Sequence, residues 1–386
     1  MQRRLFLNRL AQSAAAVALP GSLSLAHAAA DEGLTLQSVT IGTSLSLTGI
    51  LASAGQEHTA GIKAAFAAVN QAGGVHGREL RLLVKDDMYS PPRALENVRQ
   101  MLDTNSVFAL MSLMGTATTA AALPIIELQG VPCVGPVTGA SSLRSTAQRN
   151  IFHVRASYSD ETLRVVQHLR NMGMRDIAIV YLDNPYGKEF LRDVERAMSV
   201  HQIRAVGSFA LAADGSDTQQ VVSKVLDARA GAVLLGTTGT ATTGILLALR
   251  ARATALPIAG ISVSVISSEL PRMGLAARGL ALTQVFPDPT KTRLTAVRHY
   301  QNMMRAQGSG NFGGSSFEGW VNAQVLIEGL RRAGRELTRE RLRVALASIR
   351  RMDLGEYSLG FGAPAPFVAS QFVDLAVLGA DGSRVS

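Results

Sequence analysis

Three short stretches combine hydroxyl side chains with glycine: Ser46-Leu47-Thr48-Gly49, Met114-Gly115-Thr116-Ala117-Thr118-Thr119 and Pro136-Val137-Thr138-Gly139-Ala140-Ser141-Ser142. Glycine lets a backbone approach a bound group closely, and threonine and serine donate hydrogen bonds without carrying charge. Each stretch follows a β-branched run that reads as a strand. In an open parallel sheet, loops beyond the carboxyl ends of the strands meet the ligand, and helix N-termini there present free amides. Together the three loops make a cradle for a carboxylate held by neutral dipoles. Helix capping is the simpler use of any one of them; three at equivalent strand ends favour the cradle.

Signatures of common catalysis are missing. The sequence holds no G-x-x-x-x-G-K-[ST], no G-x-S-x-G and no H-E-x-x-H. Gly308-Ser309-Gly310-Asn311-Phe312-Gly313 fits G-x-G-x-x-G but follows a helical segment, so it reads as a loop and not as a dinucleotide site. His58, His76, His153 and His168 lack metal-ligand spacing, and Asp86-Asp87 reads as a strand-end cap in preference to a metal pair. Cys133 is the only cysteine, which excludes an internal disulfide and a cysteine zinc site; within Val131-Pro132-Cys133-Val134 it reads as a small core residue. The expectation is a protein that binds without transforming, with no metal and no cofactor.

The elements that position these loops alternate along the chain. Val39 to Gly42, Leu80 to Val84, Val107 to Leu113 and Val131 to Val134 read as strands. Between them, Ile62, Phe66 and Val69, then Ala94, Val98 and Met101, recur at helical spacing. A second set starts near Phe152, with Ile177 to Tyr181 as its clearest buried strand, a helix through Phe190, Val194 and Ala197, and another beginning at Asp217 as N-cap. Phe317 to Ala333 is a further long helix, and the tail after Tyr357 is strand-like. Such alternation implies parallel sheets covered on both faces, and two sets imply two doubly wound α/β lobes.

At the start, Arg3-Arg4-Leu5-Phe6-Leu7 precedes an apolar, alanine-rich run ending in Ala26-His27-Ala28. Paired arginines, an apolar segment too short to span a bilayer and small residues one apart read as an export signal of residues 1–28, of twin-arginine type. The 386-residue chain has a formal charge of +9, partly carried by Arg3, Arg4 and Arg9, and only 5% aromatic residues. A nucleic-acid surface needs a basic face interleaved with aromatics, so nucleic acid is not an expected partner. The arginines near the end, such as Arg331, Arg332 and Arg335, read as a solvated helix face.

Longer pieces resemble the periplasmic solute-binding proteins of branched-chain amino acid type, which serve ATP-binding-cassette (ABC) importers. They are Leu47-Thr48-Gly49 with Gly55 and Gly61; Asn70-Gln71-Ala72-Gly73-Gly74-Val75-His76-Gly77; and Asp86-Asp87 with Pro91 and Ala94. Phe152-His153-Val154-Arg155 with Asp160, Tyr186-Gly187, and Phe317-Glu318-Gly319-Trp320 leading to Leu330-Arg331-Arg332-Ala333-Gly334 complete them. The resemblance runs from Val39 to Ala347. It implies two lobes joined by crossing strands, closing on the ligand about a hinge, with a monomeric protein handing its cargo to an inner-membrane permease from the periplasm. A periplasmic sensor for a membrane signalling partner and, further off, a doubly wound enzyme are the alternatives. The lobes it implies are discontinuous: 29–154 plus 286–352, and 155–285 plus 353–386.

The resemblance also implies ligand contacts. They fall on Thr116 and Thr118 at the start of the helix after the third strand, on Val137, Thr138 and Gly139, on Tyr186, and on Gly236 and Thr238 with Thr237 between them; Ser46 and Leu47 of the first cradle loop, and Ser262, complete the candidate ligand contacts. Amino-acid binders of this type place an acidic residue where Ser262 stands. A buried ammonium without a partner costs several kcal/mol, so the expectation is a carboxylate lacking an amine, such as an aromatic or aliphatic organic acid. Asp183 or Glu269 could compensate only if their loops turn them inward.

Overall fold

The computed structural model describes residues 33–362, 364–380 and 382–385; the expected export signal lies outside them. The chain starts with β1 (Ser38–Leu45), α1 (Ala52–Gln71), β2 (Glu79–Asp86), α2 (Pro91–Asp103), β3 (Ala109–Met111), α3 (Thr116–Leu128), β4 (Cys133–Val134) and β5 (Ile151–His153). After a crossing come α4 (Tyr158–Asn171), β6 (Ile177–Leu182), α5 (Pro185–Val200), β7 (Ala205–Leu211), α6 (Thr218–Asp227) and β8 (Ala232–Gly236). That set ends with α7 (Gly239–Arg252), β9 (Ile258–Gly260), α8 (Leu270–Met273) and β10 (Ala281–Gln284). Next are α9 (Thr295–Ala306), α10 (Gly314–Ala333), α11 (Arg339–Ala347) and the hairpin β11 (Met352–Asp353) and β12 (Ser358–Leu359). The chain ends in β13 (Phe367–Val368), β14 (Asp374–Leu378) and β15 (Arg384–Val385).

Two sheets organise these elements. The first runs β13-β5-β4-β3-β1-β2, all parallel; the second runs β15-β14-β10-β9-β8-β6-β7, antiparallel only at its β14 and β15 edge. Both are doubly wound, as the alternation implies. One boundary moves. Phe367 and Val368 pair with Phe152 and His153, so the tail still belongs to the first sheet well past Asp353, and its last crossing falls between β13 and β14. The stack of Phe367 on Phe152, 4.8 Å between ring centroids, explains the later crossing: that aromatic ring buries against the first core.

Two further readings shift. Strand β7 escapes the sequence reading because its residues alternate between half-buried and exposed at the sheet's edge, giving no continuous apolar run. Asp217 does stand at the N-cap of α6, yet its carboxylate accepts the Ala212 amide hydrogen, 2.9 Å away, and no helix amide. Cys133 is buried in the core, as expected, and burial pushes its thiol up to about 12.

Helix α10 is the spine of the first lobe. Phe317, Trp320 and Tyr300 are buried, with Tyr300 edge-on to Phe317 at 5.0 Å; each such side chain contributes roughly 1.5–3 kcal/mol of apolar burial. Helix α1 lies against it at contact distance because Gly61 and Gly319 leave room: a Cβ on Gly61 would sit 1.9 Å from the Ser316 carbonyl oxygen, and one on Gly319 2.2 Å from that of His58. This tight pairing fixes the rotation of α10. It puts Glu318 on the side facing the second lobe.

Candidate functional site

A cavity lies between the carboxyl ends of the two sheets, lined from the first lobe by Met114, Thr116 and Val137 and from the second by Tyr186, Thr238 and Ser262. It offers about 90 Å³ to the centres of water molecules, on the order of six to nine water positions.

On the first wall, α3 points its N-terminus at the cavity. The opening amides of a helix have no intrahelical partner, and its first turn contains no acidic residue. Gly115 precedes it with φ +100°, and a Cβ there would stand 2.5 Å from the Tyr89 ring, so only glycine fits. The hydroxyls of Thr116 and Thr138 lie 2.9 Å apart and share one hydrogen bond. Tyr89 comes from the loop after β2, where Asp86 and Asp87 accept the amide hydrogens of Met88 and Tyr89, each at 2.9 Å.

Two helix caps set the second wall. Asn184 accepts the Gly187 amide hydrogen at 2.9 Å, with Pro185 opening α5, and this presents Tyr186. The Ser157 amide donates to the Asp160 carboxylate and the Asp160 amide to the Ser157 hydroxyl, each at 3.1 Å, a capping box that aims the first turn of α4, with Tyr158 and Glu161, at the cavity floor. The rings of Tyr158 and Tyr186 meet edge to face at 5.4 Å. Burial raises both phenols above their ordinary range, and the Tyr186 hydroxyl has no partner among the described residues. The Thr238 hydroxyl donates to the Val263 carbonyl at 2.6 Å.

The floor carries buried charge. Arg155 is 1% exposed; it pairs with Glu161 of α4 at 3.2 Å and with Glu318 of α10 at 3.4 Å, and donates to the Ser262 hydroxyl. Glu161 also accepts the Ser262 amide hydrogen at 2.8 Å and the Thr283 hydroxyl at 2.6 Å. Burial opposes the charge on Arg155, but Glu318 and Glu161 hold its guanidinium above the usual range; burial raises the Glu318 carboxyl despite Arg155. At the lips the lobes touch: the Ser268 amide donates to Glu57 of α1 at 2.8 Å, and Ser53 donates to Glu269 at 3.2 Å.

The sequence-derived candidates divide. Thr116, Val137, Tyr186, Thr238 and Ser262 line the cavity. The other candidates support it from behind. Ser46 donates to Asp87 at 3.2 Å, and the Leu47 amide donates to Asp86 at 2.9 Å. Thr118 donates to the Met114 carbonyl, and Thr138 is spent on Thr116 and on the Ala140 amide. Gly139 packs against Tyr158, and Gly236 against the Phe190 ring. Thr237 shares its hydrogen with Thr242 at 2.8 Å.

Neither proposed compensating acid turns inward. Asp183 pairs with Lys188 on the surface at 2.9 Å, and Glu269 is held by Ser53, Thr243 and Arg272. Tyr89, Tyr158, Arg155 and Glu318 line the cavity without having been singled out for it. Arg155 and Glu318 did carry a signal: each is a charged residue inside an apolar, aromatic stretch, Phe152-His153-Val154-Arg155 and Phe317-Glu318-Gly319-Trp320.

Comparisons with known proteins agree with this fold. The family model described as "Periplasmic binding protein" matches residues 38–368. A substrate-binding periplasmic protein from Ralstonia solanacearum is 30% identical and superposes with a TM-score of 0.85, over 90% of this chain and 99% of that one. A possible leucine/isoleucine/valine-binding protein from Rhodopirellula baltica SH 1 is 25% identical with a TM-score of 0.83, over 92% and 97% of the two chains. Among curated relatives, Leu/Ile/Val-binding protein homolog 3 of Brucella melitensis is 25% identical over 51% of this chain and 54% of its own length. The chain thus spans about half the length of the curated relatives it matches.

Proposed function

Because the chain belongs to the periplasmic binding protein family, we propose that it captures a small carboxylate-bearing solute, an amino acid or an organic acid, between its lobes and delivers it to an ABC permease. One observation carries this reading: the N-terminus of α3, with its free amides and Thr116, opens into a cavity lined by both lobes. A carboxylate there meets several donors at once, and the positive end of the helix favours its charge. The cavity admits a solute of about amino-acid size, in keeping with relatives named for leucine, isoleucine and valine.

Delivery follows from closure. The lips meet through Glu57, Ser268, Ser53 and Glu269, which belong to opposite lobes, so a solute bridging the walls favours the closed arrangement. The permease then reads the closed form. The residues at the start of the sequence, Arg3 to Ala28, support export to the periplasm by the twin-arginine route.

The test is a thermal-shift and calorimetric screen of amino acids and organic acids against the purified protein, with each hit followed over time by mass spectrometry. Saturable binding of a carboxylate solute that is recovered unchanged is the expected result. Conversion of the solute, or no stabilisation by any carboxylate, would overturn the reading.

A further inference from the structure

Among the described residues, four strands form the edges of the two large sheets, and three of them are guarded. β13 and β15 are two residues each, too short to template another strand. β2 is eight residues long but carries Glu79, Arg81, Lys85 and Asp86, and charge along an edge hinders an incoming strand. The fourth edge, β7, has neither device. Its seven residues, Ala205-Val206-Gly207-Ser208-Phe209-Ala210-Leu211, hold no charge and no proline. One irregularity interrupts it: Val206 has no partner in β6, a bulge that leaves Gly207 to Leu211 in regular register with Ala178 to Leu182.

The free side of β7 is ready to pair. The Leu211 carbonyl accepts the Asp183 amide hydrogen at 2.9 Å, so Leu211 turns its backbone groups toward β6. Directions alternate along a strand, and Ser208 and Ala210 therefore turn their amides and carbonyls outward. Neither finds a partner there among the described residues. Both side chains are small and exposed, so a second backbone can reach the ladder spacing of about 4.8 Å. Beside the strand runs a groove between the end of α5 and the start of β7, lined by Met198, Gln202, Ile203 and Arg204.

The two ends of this edge carry opposite charge. Arg204 is exposed at its start, and Asp214 is exposed just past its end. The Asp214 carboxylate accepts from the amide and the hydroxyl of Ser216, at 3.0 and 2.8 Å, which hold its pKa below the usual carboxylate range. Neither Arg204 nor Asp214 has an ion-pair partner among the described residues. A strand that begins positive and finishes negative is complementary to itself when laid antiparallel.

We propose that this edge joins two copies of the chain: a two-fold axis near Ser208 pairs β7 with β7 antiparallel and sets Arg204 of each copy against the end of the other strand, where Asp214 lies. Such a contact is closed, so assembly stops at the dimer. It departs from the monomer that the family resemblance implies. No β7 residue lines the cavity, and pairing does not depend on the solute. A single short ladder stands at the small end of specific interfaces, so the dimer is weak and forms as protein concentration rises.

Sedimentation velocity of the purified protein from about 1 to 200 µM tests it. A monomer–dimer equilibrium that weakens with salt is the expected result. Ala210→Pro removes an outward amide and no bond to β6, a place where edge strands tolerate proline. It should keep the parent melting temperature and weaken dimerisation at least about tenfold. Arg204→Glu should weaken it by about threefold to tenfold, and adding Asp214→Arg should restore it. A parent that stays monomeric overturns the proposal and leaves the edge to a strand of another protein. A dimer that survives Ala210→Pro, or one indifferent to Arg204→Glu, lies elsewhere on the surface and overturns it too, as do species larger than a dimer. Where Ala210→Pro does not fold, the charge exchange decides: restoration by the second substitution supports the contact, and its absence overturns it.

Discussion

Tyr89 adopts a left-handed backbone, φ +58°, and the Asp87 carboxylate two residues earlier accepts its amide hydrogen at 2.9 Å. Met88 is left-handed as well, φ +54°, with its amide held by Asp86. Two successive non-glycine residues in that region cost of order 1–3 kcal/mol each, and such strain persists only where the surroundings enforce it. The enforcement is Asp87, fully buried, onto which the hydroxyls of Ser44 and Ser46 also donate, at 3.0 and 3.2 Å. The acidic pair is therefore a device for pushing Tyr89 toward the cavity.

Removing that device should both loosen the fold and open the site. Asp87→Ala leaves two buried hydroxyls and a strained amide without an acceptor, so stability should fall by about 3 kcal/mol. Affinity for the best solute of the screen should fall at least about tenfold, because Tyr89 no longer completes the wall. Urea unfolding and calorimetry measure the two effects. A variant as stable as the parent would show that the Asp87 carboxylate does not hold the loop.

The cradle can be probed at one hydroxyl. Thr116 shares a hydrogen bond with Thr138 and lies beside the opening amides of α3. Thr116→Val keeps the shape and removes the donor, so a bound carboxylate oxygen loses a partner in a buried setting. Binding should weaken by roughly 1–3 kcal/mol, with the melting temperature of the unliganded protein nearly unchanged. Calorimetry showing full affinity would move the carboxylate away from this helix.

Much of this architecture was legible because parallel strands buried on both faces leave continuous apolar runs, as in Ile177 to Val180, and helices leave a stripe, as in Val98, Met101 and Leu102. Strand β7 was not, since an edge strand at the surface carries no such run. At the site, local chemistry was readable and long-range pairing was not. The glycine and hydroxyls around Thr116 announce a helix N-terminus at a strand end. Nothing in the chain order announces that Arg155 meets a carboxylate 163 residues away, because that contact is made by the crossing strands. Likewise Ser46 and Thr138 have the right chemistry in the right loops, yet a serine facing a buried aspartate spends its hydrogen there.

Buried histidines should make the protein sensitive to mild acid. His153 sits in β5, and its Nε2–H donates to the Leu143 carbonyl at 2.8 Å. Burial first, and Arg144 second, push its pKa down to about 3. In the unfolded chain the same group titrates near ~6.5. Above that value both states are neutral and the contribution is fully present; below it the unfolded state binds a proton that the native state refuses, so stability falls until pH reaches about 3. At about pH 5.5 the loss is roughly 1.4 kcal/mol for this one side chain. Buried carboxyls with raised pKa, such as Asp193 at about 6, act in the opposite sense as pH falls, so the overall profile mixes the two. His153→Asn separates them, since an amide can still donate to Leu143 but does not titrate. Its deficit relative to the parent, measured by urea unfolding, should shrink by about 1.4 kcal/mol between about pH 7.5 and pH 5.5. A constant deficit would mean that His153 takes up its proton equally in both states.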